Sequence, residues 1–206
     1  MQAAFEKVYA TNEWGYGSGE GSAPKHTRGY VQFLHQFLKQ NQIRSVVDMG
    51  CGDWQFSRFI DWTGIHYRGY DLVRSVIETN QKRFAKPGVE FFLYDGDFDE
   101  LPQADLLITK DVLQHLAHEN IMRFLPTINR YPKCLITNCV NPHGPTVNKN
   151  IQDGEFRYLD LRLPPYEVAA EEVFEFTNHR PAWLGTFVRL RWKKKVLLLN
   201  CSNNLR

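Results

Sequence analysis

The stretch Val46-Val47-Asp48-Met49-Gly50-Cys51-Gly52-Asp53-Trp54 constrains this chain more than any other. A β-branched apolar run ends in an acid, and two glycines then flank one small residue. A turn of that make-up lets backbone approach a ligand with no side chain in the way. The run from Ser45 to Met49 reads as a parallel strand buried on both faces. After the turn, Phe56, Phe59 and Ile60 recur at helical spacing, which predicts a helix there. In a unit of strand, glycine turn and helix, the ligand sits at the strand's carboxyl end, beside the helix N-terminus.

Several nucleotide cofactors use such a corner. The dinucleotide fingerprint needs a third glycine three residues after the second, and Gln55 stands there. A phosphate-cradling loop needs Gly-Lys followed by Ser or Thr, and no such run follows. What stands is an acid two residues ahead of the first glycine, D-x-G-x-G. This resembles motif I of the class I S-adenosylmethionine-dependent methyltransferases. The resemblance implies that Asp48, Gly50, Cys51 and Gly52 face the amino-acid end of that cofactor, where a carboxylate complements an ammonium. A glycine turn that binds nothing is the alternative.

The chain has 206 residues, 43% of them apolar, enough for one ordinary core and one domain. A net charge of +2 gives no polyelectrolyte character that points to nucleic acid or membrane. No apolar run approaches the roughly 20 residues of a membrane span. The N-terminus has no apolar signal core, and Cys51, Cys134, Cys139 and Cys201 show no metal-ligand spacing. Buried thiols in a reducing cytoplasm are the expectation, with no metal and no membrane.

Residues 1–14 suit a short helix ending near Asn12. The glycine-rich run Trp14 to Ser22 is a linker by composition, but its two aromatics, Trp14 and Tyr16, suggest a lid over the cofactor cleft. Closure of the site by an N-terminal segment is also what the family resemblance implies. The expected division is a segment 1–29 carrying the lid and a methyltransferase domain 30–206. Thr27 to Gln40 carries Tyr30, Phe33, Leu34 and Phe37 on one face of a helix. Lys25, His26 and Arg28 at its start are cations where the helix dipole disfavours them, which suggests an anionic contact.

His66 to Asp71 reads as a second strand ending in an acid. Asp71 falls about 20 residues past the glycines, the spacing at which a carboxylate takes a ribose diol. Two charge-assisted bonds there contribute roughly 1.5–3 kcal/mol each. A strand-end Asp capping the next helix is compatible with that role. Leu72 follows it into the cofactor set. A helix over Val73 to Phe84 stops at Pro87-Gly88, and Val89 to Tyr94 is a third strand. By the resemblance, the acid after this strand takes the adenine amino group. Asp97 with Phe98 fits, Asp95 is the alternative, and a solvated acidic loop is the bland account.

Leu101-Pro102 through Leu116 resembles the LP-x-x-DL…DVL-x-HL segment of small-molecule methyltransferases. It implies that Lys110, Asp111 and Val112 line the thioether side and that His115 faces the substrate. The unbroken run Leu106 to Ile108 marks a central strand. Ile121, Phe124, Leu125 and Ile128 form a core stripe that Pro126 interrupts, and Leu135 to Thr137 is the fifth strand. The polar insertion from Asn141 to Leu161 follows a strand's carboxyl end, where open α/β sheets place substrate loops. Leu163-Pro164-Pro165-Tyr166 lies past strand five and lacks a leading Asn or Asp, which disfavours a DNA-adenine methyltransferase. Strands over Val173 to Thr177 and Val196 to Asn200 flank the basic cluster Arg189 to Lys195. That cluster reads as edge-strand protection or as a nucleic-acid dock.

The combination of W-G-x-G-S-G-x-G-S, DxGCGDW, DVL-x-HL and N-x-x-x-G-x-F-R-x-L-x-L-x-x-P-P resembles a group of class I methyltransferase-domain proteins and implies no substrate. Tyr158, Arg157 and Asp160 in the last motif, with Tyr16 of the lid and His115, are the substrate-contact candidates. Methyl transfer from a sulfonium to a hydroxyl needs a base. His115, with an unperturbed pKa near about 6.5, is the natural one, Asp111 and His143 completing the catalytic candidates. A histidine that merely packs is the alternative.

The expected fold is a Rossmann-like, doubly wound α/β domain of seven strands, the last antiparallel and inserted beside the sixth. The expected function is methyl transfer from S-adenosyl-L-methionine to an O or N of a small molecule. Nucleic acid is disfavoured as a partner and a homodimer is left open. A nucleic-acid or protein methyltransferase, a non-catalytic nucleotide-binding module and a dehydrogenase rank behind it. Removing residues 1–22 should weaken binding of S-adenosylhomocysteine in a calorimetric titration; unchanged affinity would retire the lid.

Overall fold

The computed structural model describes residues 1–178 and 191–201. Seven strands build one sheet: β1 (Ser45–Met49), β2 (His66–Asp71), β3 (Val89–Leu93), β4 (Leu106–Lys110), β5 (Lys133–Val140), β6 (Glu171–Thr177) and β7 (Lys193–Asn200). Their order is β3-β2-β1-β4-β5-β7-β6. β1 to β5 run parallel, whereas β7 is antiparallel to β5 and to β6. This is the expected doubly wound α/β sheet with its reversed strand inserted beside the sixth.

The apolar runs form central strands because both faces of the sheet are covered. Neighbouring residues point to opposite faces, so Val46 and Val47, Leu106 and Leu107, Leu135 and Ile136, and Val196 and Leu197 each divide between two buried layers. Helix α2 (Pro24–Gln40) covers one face with Tyr30, Leu34, Phe37 and Leu38. Phe33 stacks on Phe174 of β6 at 4.9 Å between ring centroids. Helices α1 (Gln2–Thr11) and α4 (His118–Phe124) contribute Phe5, Ile121 and Phe124 to the other layer. Helix α3 (Arg74–Phe84) places Val76 in one layer and Ile77 in the other. After α4 the chain tightens into a 3-10 turn, Leu125–Arg130, at Pro126.

Helix α2 starts at Pro24, three residues before Thr27, with the proline in its first turn. A division between residues 29 and 30 therefore falls inside one helix. No α-helix follows the glycine turn: residues 53–60 hold only the 3-10 turn Ser57–Phe59. Trp54 takes a left-handed φ of 57°, and its ring packs on Tyr67, Phe84 and Phe91. One turn's worth of apolar spacing cannot offset helix nucleation against that packing.

The basic run is not at an edge. β7 is hydrogen-bonded on both sides, and its alternation sends Lys193 to Glu175 (3.3 Å) and Lys195 to Glu172 (2.8 Å). Lys194, on the opposite face, is 2% exposed. Arg189 and Leu190 lie outside the described residues. Among the described residues, no helix is long and apolar enough to cross a membrane.

Arg130 fixes the loop after β3. Its guanidinium donates to the carbonyls of Phe98 (3.3 Å), Asp99 (3.0 Å) and Leu101 (2.7 Å). Three acceptors lose their partner together in Arg130→Ala. The expected cost is about 1–3 kcal/mol in urea unfolding, with faster amide exchange over residues 97–101.

Candidate active site

The parallel strands present their carboxyl ends side by side, and β1 and β2 are tied at their tips. Gly50 N and Cys51 N both donate to Tyr70 O, at 2.8 and 3.0 Å. Gly50 has φ 76°, and a β-carbon there would collide with Val112. Gly52 N donates to Asp71 Oδ2 at 2.9 Å, and Val73 N to Asp71 Oδ1 at 3.0 Å. Asp71 thus spans the glycine turn and the entry to α3. Asp48 Oδ2 accepts the Tyr67 hydroxyl proton at 2.6 Å.

A cleft of about 840 Å³, its mouth included, opens over these tips. The β1 turn contributes Asp48, Gly50, Cys51, Gly52 and Asp53 to its wall. The tips of β2 and β3 contribute Asp71, Leu72, Tyr94 and Phe98, and the β4 tip contributes Lys110, Asp111 and Val112. The roof comes from the N-terminal segment: Met1, Phe5, Tyr9, Trp14 and Ser18 line the same space. Gly15, Gly17 and Gly19 take φ of 64°, 67° and 87° to turn the chain over it. Ser18 Oγ accepts from Asp53 N at 2.9 Å and bonds the Tyr9 hydroxyl at 2.7 Å. Gln55 Nε2 donates to Tyr16 O, which pins the glycine-rich run to the β1 turn.

At the β4 tip, Asp111 has φ 61°, a rare value for a non-glycine that acidic side chains tolerate better than most. Lys110 and Lys194 both pair with its Oδ2. Burial alone would raise the Asp111 carboxyl, but the two ammoniums hold it down at about 2. Lys110 is pushed below the ordinary lysine range, first by burial, with the Lys194 charge adding to it. Burial also acts to lower Lys194, which the Asp111 carboxylate more than offsets, so it ends above that range.

A second cavity opens behind Trp14, with Glu20, Gln114, His115, Tyr158, Trp192 and Lys194 in its walls. It shares Trp14, Ser18 and Asp111 with the cleft. The imidazole of His115 lies under the Trp14 indole, 4.5 Å between centroids. Its Nδ1 lies 2.8 Å from Glu155 O and so carries the proton. Nε2 then accepts from Gln114 Nε2 at 3.2 Å, while Gln114 Oε1 takes the Cys139 N–H at 2.7 Å. Burial brings His115 down to about 4.

The donor set selects the kind of ligand. Asp48, Asp53, Asp71 and Asp111 face Lys110 in the cleft, so a pyrophosphate would be repelled and a cation attracted. Asp53 Oδ1 and Asp111 Oδ1 are buried there without a hydrogen-bond partner among the described residues. A ligand bearing an ammonium and hydroxyls supplies the donors that they lack.

An O-methyltransferase domain model matches residues 24–158, almost two thirds of the chain. The chain belongs to the O-methyltransferase domain family. It is an S-adenosylmethionine-dependent methyltransferase. A SAM-dependent methyltransferase from Anabaena variabilis shares the fold at TM-score 0.64 and 12% identity, covering 97% of this chain and 94% of the other. Magnesium protoporphyrin IX methyltransferase from Synechocystis, with bound SAH, gives 0.63 at 14% identity over 96% and 98%. The methyltransferase domain of bacterial CtHen1 gives 0.56 at 13% over 84% and 99%. No curated protein matches.

In this methyltransferase, the cofactor candidates converge with one exception. Asp97 stands exposed outside the cleft, its carboxylate capping the 3-10 turn Phe98–Glu100 by accepting from Asp99 N at 3.0 Å. Asp95 is likewise exposed, accepting from Asp97 N at 2.9 Å. Of the substrate and catalytic candidates, His115, Asp111 and Tyr158 meet in the second cavity. His143 lies exposed on the loop after β5 and lines neither space. Tyr16 is 71% exposed on the outer side of the glycine run, with Lys25 over its ring. Arg157 is a buried strut, donating to Leu116 O at 2.6 Å and Leu113 O at 3.3 Å. Asp160 takes Arg162 at 2.7 and 2.9 Å. Of the cations at the start of α2, His26 lies 3.3 Å from Glu20 and Lys25 over the Tyr16 ring.

Burial raises the carboxyls of Asp48 and Asp71 to about 6. Their unfolded value is near about 3.9. The native state therefore binds protons more readily, and the stability these two contribute is full below about pH 4 and lost as pH rises through about 6. Asp48→Asn, which carries no charge to bury, should gain on the wild type by about 1–3 kcal/mol between pH 4 and 7.5, read from urea midpoints of the ligand-free proteins.

Proposed function

We propose that this enzyme moves the methyl group of S-adenosylmethionine to an oxygen of a small-molecule acceptor held in the second cavity. One observation carries the reading: the cofactor cleft and the second cavity are neighbours that share Trp14, Ser18 and Asp111 as lining residues. The family supports oxygen as the acceptor atom. A small-molecule acceptor also agrees with fold neighbours whose names give magnesium protoporphyrin IX and echinomycin biosynthesis.

The carboxylate of Asp71 is offered to the ribose hydroxyls, and Asp48, Gly50, Cys51, Gly52 and Asp53 to the amino-acid end. Leu72, Tyr94 and Phe98 supply the apolar wall for the adenine. Lys110, Asp111 and Val112 line the cleft where the sulfonium would lie, and the bound cofactor would supply a methyl group already activated for displacement. Residues 1–22 roof the cleft and exclude water, which strengthens every polar contact inside. His115 faces the acceptor as a neutral imidazole. With both reactants bound in these neighbouring spaces, in-line placement would be worth an effective concentration of roughly 10⁵–10⁸ M.

Calorimetry tests the assignment. S-adenosylhomocysteine should bind and NAD should not, and Asp71→Asn should weaken the former by about tenfold, or 1.4 kcal/mol. His115→Ala should slow methyl transfer across an acceptor panel and leave cofactor affinity unchanged. Loss of cofactor affinity in His115→Ala with turnover intact would reverse the assignment.

A further inference from the structure

Two features of the second cavity have no use in the reading above. The first is electrical. Lys110 and Lys194 are both buried and both pair with Asp111 Oδ2; Lys110, on the cofactor side, also donates to Gly21 O at 3.3 Å, while Lys194 lines the second cavity. Each ammonium also lies near an aromatic face, Lys110 4.9 Å from the Phe56 centroid and Lys194 5.0 Å from that of Trp192. Those contacts soften burial but neutralise nothing. Arg191 adds a further cation at the mouth, 3.7 Å from Glu20. Burial first, and then the neighbouring Lys194 charge, hold Lys110 below the ordinary lysine range although Asp111 opposes them. Trp192 Nε1 is buried in the same region with no partner among the described residues.

The second feature is the lack of a free base among the described residues lining the cavity. His115 Nε2 already accepts from Gln114, whose amide is fixed by Cys139 N, and burial leaves the ring a poor proton holder. Asp111 is committed to two lysines. Glu20 bonds His26 and lies near Arg191. The Cys139 thiol is pushed up by burial and stays protonated. The walls are otherwise aromatic: Trp14, His115, Phe156, Tyr158 and Trp192.

We infer that the acceptor is an aromatic carboxylate, bound as its anion by Lys194 with the Trp192 indole N–H and methylated on a carboxylate oxygen without a catalytic base. This rests on the proposed methyl transfer and names its substrate class. The acceptor oxygen forms a bond to the methyl carbon as the carbon–sulfur bond breaks, the electron pair passing to sulfur. One negative and one positive charge disappear, and no proton is released. A neutral phenol or alcohol would have to shed a proton, and this cavity offers nowhere to put it. A charge-assisted bond from a buried ammonium also separates an acid from its amide isostere, which a purely aromatic slot would not.

The test is a calorimetric titration of the protein saturated with S-adenosylhomocysteine. Benzoate, trans-cinnamate and 4-hydroxybenzoate are compared with benzamide, cinnamamide and 4-hydroxybenzamide, up to about 10 mM. At least one acid should bind about tenfold tighter than its amide. Lys194→Met should cut that preference to under about threefold with cofactor affinity retained, and Trp192→Phe, which keeps a ring, should weaken the acid alone. Any acid that is turned over in weak buffer should release no proton per methyl. The inference is overturned if no acid binds, if amides bind equally well, if Lys194→Met keeps the preference, or if one proton appears per methyl. Failure of S-adenosylhomocysteine to bind the wild type would instead overturn the methyltransferase reading of the site.

Discussion

The two oxygens of Asp71 fix the corner over which the cleft opens. One takes the Gly52 N–H and the other the Val73 N–H, so a single carboxylate joins the β1 turn, the end of β2 and the start of α3. The interaction is buried, and a buried charge survives only when its lone pairs are used. Backbone donors do this at fixed geometry, whereas a flexible lysine would not. Everything the cleft offers to a ligand is measured from that point. The glycine turn cannot swing outward without breaking the Gly52 bond, and Leu72 cannot turn away while Val73 is tied.

Much of this was legible in the chain because strand tips leave strong marks. The apolar, β-branched start of Ser45–Met49 marks a strand buried on both faces, and Asp48 at its end with the glycines after it marks the corner. Asp71 was found by spacing alone. Asp97 was not, because an acid in an acidic loop serves equally as the cap of a short turn, and here the backbone N–H of Asp99 claims it. The helix expected after the glycine turn failed for a related reason. Phe56, Phe59 and Ile60 fit a helical face, but periodicity cannot report that Trp54 would be buried between Tyr67 and Phe91 instead.

The acceptor side was harder to read, because its parts come from distant places. Lys194 looked like one of a run of surface cations, and only the pairing of β7 with β5 and β6 turns it inward and its neighbours outward. Arg157 and Asp160 looked like ligand contacts because they are charged and sit on a loop after a strand's carboxyl end. Asp160 instead holds Arg162 of the same loop, and Arg157 ties the loop to the carbonyls of Leu113 and Leu116 after β4. Thirty residues without helix or strand, from 141 to 170, must satisfy their own carbonyls and amides. Asn148 alone donates to Asp160 O, Leu163 O and Pro164 O. The roof had a clear signal, the aromatics within a glycine run, although Tyr16 turned outward and Trp14 inward.

The Trp14 indole stands in the partition between two chambers, packed against His115 on one side and the cleft on the other. A single side chain touching both guests makes their comings and goings interdependent. Displacing residues 14 to 22 would uncover both spaces together, because Trp14 and Ser18 line the two of them.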